Sequence, residues 1–152
     1  MFPGKKKLLS ESLARMGVAD ALAGVFPGRG LMVLAYHRVL DIGAEDDYPA
    51  DPELISATPR DFETQMSFVR RHFNVIRFAQ VIDAMDRGVA LPPRSLLITF
   101  DDGHFDNYAH AFPILRSLGL PATIFISTDY IGADRMFWFD RQAYLLYCAR
   151  PG

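Results

Sequence analysis

Ser95-Leu96-Leu97-Ile98-Thr99-Phe100-Asp101-Asp102-Gly103 decides how this sequence folds. Leu96 through Phe100 form an apolar and β-branched run too short for a helix. Its length and lack of polar alternation fit a strand covered on both faces, as in a parallel sheet. The run ends abruptly in two carboxylates and a glycine. In α/β folds ligands bind at the C-terminal ends of strands, so the chemistry is expected there. Paired aspartates suit hard-cation binding, activation of water, or both. Gly103 permits a sharp turn or a close approach to a substrate. Asp-Gly is also a common turn pair, so the tripeptide alone is a weak functional signal.

Working outward, strands alternate with helices. Residues 31–38 read as a strand after the break at Pro27-Gly28-Arg29-Gly30. Residues 40–57, with many acids and two prolines, read as a long exposed loop. Thr58-Pro59-Arg60-Asp61 is a helix start: a Thr cap, Pro at the first position and an acid in the first turn. Phe62, Met66, Val69 and Phe73 then share one helical face. Residues 74–77 form a short strand candidate. The segment 78–87 reads as a helix with Val81, Ile82 and Met85 inward and Gly88 at its C-terminal cap. A further helix is expected over 113–118, with Pro113 in its first turn and Gly119 ending it. Residues 122–127 are another apolar strand, and 136–147 begin an aromatic helix. This order predicts βα units and a mostly parallel sheet.

The chain has 152 residues, half of them hydrophobic, enough for one domain with a sizeable core. A formal net charge of -2 argues against nucleic-acid binding. One cysteine, Cys148, leaves no disulfide framework and no cysteine-based zinc site. No apolar run reaches transmembrane length. Lys5-Lys6-Lys7-Leu8-Leu9 resembles the start of a signal peptide, but Glu11, Arg15 and Asp20 interrupt what should be an uncharged stretch. Leu9, Leu13, Met16 and Leu22 suit a short amphipathic helix instead. Residues 1–30 are therefore read as an N-terminal helix and linker, and 31–152 as the main domain. The expected location is cytoplasmic rather than secreted, with envelope or extracellular association as the alternative.

Several segments resemble, in order, the polysaccharide deacetylase or NodB-homology family. They are Thr99-Phe100-Asp101-Asp102-Gly103, Asp106-Asn107-Tyr108, Ala111-Phe112-Pro113-Ile114-Leu115 and Leu118-Gly119-Leu120-Pro121-Ala122-Thr123-Ile124-Phe125. Tyr36-His37-Arg38-Val39 and Phe137-Trp138-Phe139-Asp140-Arg141 extend the likeness. The resemblance implies an α/β fold, the N-terminal part of a distorted (β/α) barrel with parallel strands, incomplete at the C-terminus. It implies metal-dependent hydrolysis of N-acetyl groups from an amino-sugar polymer. By the same resemblance Asp101 matches the catalytic base and Asp102 the metal-binding aspartate. A divalent cation, zinc in such enzymes, would polarise the acetyl carbonyl and acidify a bound water. The expected partner is an N-acetylated polysaccharide or oligosaccharide. An exposed sheet edge would also allow self-association.

The family completes its metal site with a downstream His-Ser/Thr-x-x-His motif that this sequence lacks. The histidines are His37, His72, His104 and His110. His37, at a strand end beside the motif strand, is the strongest candidate to line the pocket. Gly103 and His104 adjoin it, though a loop histidine usually faces water. His72 reads as complementing a helix C-terminus, His110 as a turn residue and Asn107 as a turn cap. Phe137, Trp138 and Phe139 offer either a sugar-stacking platform or core cover, and apolar density favours core. Asp140 and Arg141 are expected to pair with groups outside this chain. Two other readings remain: an inactive remnant or interaction module without the metal motif, and a magnesium phosphohydrolase using Asp101 and Asp102.

Overall fold

A computed structural model describes residues 30–44 and 47–150. The expected N-terminal helix and part of the acidic stretch, Glu45 and Asp46, lie outside these residues. The strand predicted from the opening motif is β5 below, and the sheet is built around it. In chain order the elements are β1 (Leu31–Tyr36), β2 (Arg38–Val39), β3 (Ile55–Ala57), α1 (Pro59–His72), β4 (Asn74–Val75), α2 (Phe78–Arg87), β5 (Ser95–Phe100), α3 (Phe112–Leu118), β6 (Thr123–Ile124) and α4 (Trp138–Cys148). All six residues of β5 are buried. On one side it pairs with β1; on the other it pairs with β4 at its start and β6 at its end, every ladder parallel. These described residues form the N-terminal part of a distorted (β/α) barrel.

Packing on the sheet follows the spacing read from the sequence. Thr58 caps α1: its hydroxyl accepts from the Asp61 amide, and Pro59 occupies the first turn. Phe62, Met66 and Val69 of α1 are buried, and Phe73 packs beside them. The Tyr36, Phe62 and Phe100 rings form one cluster, with Phe62 edge-on to Tyr36 at 5.1 Å. Truncating a fully buried Phe such as Phe62 typically costs about 3–5 kcal/mol. Gly119, at φ +67, ends α3 in a left-handed turn, where the Gly119 and Leu120 amides donate to the carbonyls of Arg116 and Leu115. That arrangement closes the helix C-terminus.

Four local expectations are corrected. First, α2 has no buried residue, and Met85 is 77% exposed. Periodicity identifies an apolar face, but does not supply an element to cover it. Second, the 40–57 segment is not all loop: β3 pairs with β2 and buries Ala57. Third, the strand expected over 122–127 is confined to Thr123–Ile124, with the Phe125 amide donating to the Phe100 carbonyl. Because β5 stops at Phe100, Ile126 has no ladder to continue.

Fourth, helical backbone starts at Phe105, so Pro113 lies well inside it. Residues Asn107–Ala111 widen into a π-turn, with the Phe112 amide donating to the Asn107 carbonyl. A proline removes one helical donor and crowds the preceding turn; a π-bulge relieves that conflict.

The Tyr36 hydroxyl donates to Gln65 Oε1 at 2.7 Å, and burial pushes its pKa up to about 12. A raised folded-state pKa gives stability that is full below the unfolded value near 10 and lost as pH rises toward about 12. Urea unfolding should therefore show wild type losing stability relative to Tyr36→Phe across that window. Below it, the difference between the two proteins should not change with pH.

Candidate active site

Register places the first two site residues. Tyr36 pairs with Phe100 at the ends of β1 and β5, so His37 and Asp101 leave the sheet together. The Asp101 amide donates to the Tyr36 carbonyl at 2.9 Å, extending the ladder by one bond. His37 Nε2 lies 3.9 Å from Asp101 Oδ2, and both side chains are partly open to solvent. The His37 amide donates to Ser56 Oγ, tying that bend to β3.

Asp102 turns away from this pair. Its φ is +67, uncommon for a side chain with a Cβ, and the Gly103 amide donates back to the Asp101 carbonyl at 2.8 Å. That three-residue closure is a γ-turn of the rarer, strained kind. Gly103 follows at φ +74, and a Cβ there would meet Ile126 Cγ1 at 3.4 Å. The close approach expected of Gly103 is thus an approach to Ile126. Asp102 Oδ1 accepts from Ser127 Oγ at 3.3 Å, while Oδ2 lies 3.9 Å from His104 Nε2. The adjacent carboxylates consequently face different partners, which eases the repulsion expected between them.

His104 is not the solvated loop residue expected from sequence. Its side chain is only 8% exposed, and its ring lies 5.3 Å from that of Phe137. Burial, with Arg38 next, holds its pKa below the usual value; Asp106, Asp140 and Asp102 oppose this. The imidazole is therefore neutral at neutral pH. Its Nε2 has no hydrogen-bond partner among the described residues. His72, by contrast, ends α1 with its ring 4.4 Å from Phe68, and His110 lies in the π-turn.

Three residues with a structural part in this site were missed as such. Arg38 donates through Nε and an Nη nitrogen to Asp106 Oδ1, and through its other Nη to the Tyr48 hydroxyl. Asp106 is buried, and its Oδ2 accepts from the Val39 amide at 2.8 Å. This pair fastens β2 to the helix that follows the Asp-Asp-Gly turn. Asp140, in the first turn of α4, is buried with an unpartnered Oδ1 among the described residues. Asn107 is also buried, and neither polar atom of its side chain is hydrogen-bonded among the described residues, so it does not cap the turn. No sequence signal links Arg38 to a carboxylate so far along the chain; only the order of motifs placed Asp106 and Asp140 near the site.

A cavity of about 240 Å³ opens beside Asp102, lined also by Gly103, Ser127, Phe137 and Asp140. Trp138 is 70% exposed, so no described residue supplies the core cover favoured for it, while Phe137 and Phe139 are half-buried and stacked at 5.1 Å. Asp102 offers an oxygen donor suited to a divalent cation. Among the described residues no three His, Cys, Asp or Glu side chains converge to hold a metal ion. Catalytic zinc usually has three protein ligands, so the described residues fit one position of such a shell and not the whole.

The parallel sheet thus carries Asp101 and Asp102 at the C-terminal end of its most buried strand, where α/β folds place their ligand sites. Residues 88–142 match the polysaccharide deacetylase family model. The poly-β-1,6-N-acetyl-D-glucosamine N-deacetylase of Escherichia coli K12 is 29% identical over 98 residues, covering 64% of this chain and 14% of that protein. The Staphylococcus epidermidis protein of the same name is 29% identical over 109 residues, covering 67% of this chain and 37% of that one. Among solved structures, IcaB from Ammonifex degensii is 32% identical with a TM-score of 0.54, covering 66% of this chain and 39% of that one. The BpsB deacetylase domain from Bordetella bronchiseptica is also 32% identical, with a TM-score of 0.50, covering 70% of this chain and 40% of that one. Over the stretch these matches cover, the chain is similar to the polysaccharide deacetylase family. It spans less than half the length of each of these relatives.

Breaking a buried ion pair from one side leaves the other charge without its partner, at about 3–5 kcal/mol. Arg38→Ala should destabilise the fold by that order, read by urea unfolding. Arg87→Ala, which breaks the exposed pair with Asp83, should change stability by less than about 1 kcal/mol.

Proposed function

We propose that this chain carries the general base and one metal ligand of a hydrolase that removes N-acetyl groups from an amino-sugar polymer. The observation that supports this most directly is the divergence of Asp101 and Asp102 at the end of β5. One carboxylate is partly open and 3.9 Å from His37 Nε2; the other borders the cavity. The substrate class follows from the relatives, two of which are named for poly-β-1,6-N-acetyl-D-glucosamine.

Asp101 would accept the proton of a water as it attacks the acetyl carbonyl, and needs an ionised, accessible carboxylate to do so. His37 sits where it would steady that carboxylate and donate a hydrogen bond to it after a small side-chain rotation. Asp102, held by Ser127 Oγ, would supply one oxygen to a divalent cation, zinc by family resemblance. Such a cation, once bound, polarises the carbonyl and acidifies water. The further ligands would come from outside the described residues. Gly103 keeps the turn tight against Ile126, leaving the cavity beside Asp102 open.

Acetate release from a β-1,6-linked N-acetylglucosamine oligomer, measured with zinc added, tests the reading. Asp101→Asn should lower the rate by about 10²–10⁴-fold, the usual worth of a positioned base. Asp102→Asn should weaken the zinc dependence, and His37→Ala should lower turnover. Wild type that releases no acetate, or release indifferent to Asp101→Asn, overturns the proposal. So does magnesium-dependent cleavage of phosphate esters in its place.

A further inference from the structure

Beyond the cavity at Asp102 lies a second concavity of about 420 Å³, lined by Tyr48, Asp51, Trp138, Phe139, Gln142 and Tyr147 among others. Its volume falls within the range of about 300–1,000 Å³ typical of small-ligand clefts. Both of its walls are tied to the site already described. Tyr48 accepts a hydrogen bond from Arg38, whose guanidinium pairs with Asp106 just past the Asp-Asp-Gly turn. On the other wall, Phe139 stacks on Phe137, which also lines the Asp102 cavity and touches His104. Residues 137–140 contribute to both linings, Phe137 and Asp140 to the first and Trp138 and Phe139 to the second, so a linear polymer crossing the first turn of α4 would reach both.

The lining chemistry narrows the occupant. Tyr48, Trp138, Phe139 and Tyr147 supply aromatic surface, and Trp138 stands edge-on to Phe139 at 5.7 Å while remaining mostly exposed. Rings with an apolar body and a polar tip favour ligands that are themselves apolar on one face and wet at the rim. A pyranose ring matches, with its C–H face against an aromatic and its hydroxyls toward the Gln142 amide and the Tyr147 hydroxyl. We infer that this cleft is a binding subsite for an N-acetylhexosamine unit of the polymer, next to the unit whose acetyl group enters the Asp102 cavity. The inference rests on the proposed function for its substrate class, and extends it to a second sugar-binding position.

Trp138 is the only tryptophan of the chain, so its fluorescence reports on this cleft directly. Titrating a β-1,6-linked N-acetylglucosamine tetramer into the full chain should give a saturable change in emission. The same change should occur in Asp101→Asn, which leaves the cleft untouched. Tyr147→Ala and Gln142→Ala should each weaken the apparent Kd by about tenfold. Gln142 is exposed, so that variant should keep its far-ultraviolet circular dichroism. No saturable change at millimolar tetramer overturns the subsite, as does a folded Gln142→Ala and Tyr147→Ala pair that bind like wild type. Acetate release without a fluorescence response would sink the subsite and leave the hydrolase reading standing. Saturable binding without acetate release from any variant would do the reverse.

Discussion

The parallel register between β1 and β5 is the constraint on which the site depends. Six consecutive residue pairs, from Leu31 with Ser95 to Tyr36 with Phe100, align the two strands to their last residue. A slip by one position would carry β5's buried side chains to the opposite face and separate His37 from Asp101. The aromatic cluster of Tyr36, Phe62 and Phe100 guards against such a slip. Two of its rings sit at the strand ends and the third comes from α1. Hydrophobic packing on one side of the sheet thus fixes a polar geometry just beyond the strand ends. The route runs from sequence pattern to register, and from register to the 3.9 Å spacing of imidazole and carboxylate.

The backbone beyond that register supplies what the strands cannot. Two carboxylates on consecutive residues of an extended chain would point to opposite faces, and one would be driven into the core. The turn at Asp102 instead takes positive φ, so its carboxylate reaches Ser127 and the His104 side while Asp101 stays with His37. Strain of this kind costs on the order of 1–3 kcal/mol, and persists only where surrounding structure enforces it. Enforcement comes from the Asp101 amide bonded to β1, from Gly103 packed close to Ile126, and from Asp106 locked to Arg38 and the Val39 amide.

This division explains what was legible in the sequence. The buried run 95–100, the α1 face of Phe62, Met66 and Val69, and the Gly119 cap are local patterns that the structure reproduces. Asp101 and Asp102 were visible as candidates because they follow the most apolar strand. The Arg38–Asp106 pair was not, since the partners lie 68 positions apart and neither has a periodic signature. His104 was misjudged for a related reason. A histidine two residues past a strand is exposed by default, and only the later arrival of Phe137 encloses it. Met85 and Trp138 failed the opposite way: each belongs to an apolar pattern, yet no described element covers it. A pattern records a preference for burial; satisfying it needs a neighbour that the local sequence does not contain.

Met85 and Trp138 nevertheless differ in a way that bears on function. Met85 is exposed on α2, among apolar residues whose helix buries none of its side chains. Trp138 stands at the first turn of α4 beside a buried carboxylate, Asp140, and over a stacked pair, Phe137 and Phe139, that reaches the site. Asp140 lies close enough to Tyr48 and His104 to favour their protonated forms, which places it between the two concavities electrostatically as well as in sequence. A buried acid costs stability unless neighbouring positive or donor groups offset it. Arg38 is the cation of this cluster, and it also holds Tyr48 on the wall of the outer cleft. The same guanidinium thus joins the turn bearing Asp102 to the aromatic surface around Trp138. That coupling separates the exposed tryptophan from an incidental apolar patch: its surroundings are built from the same side chains that shape the site.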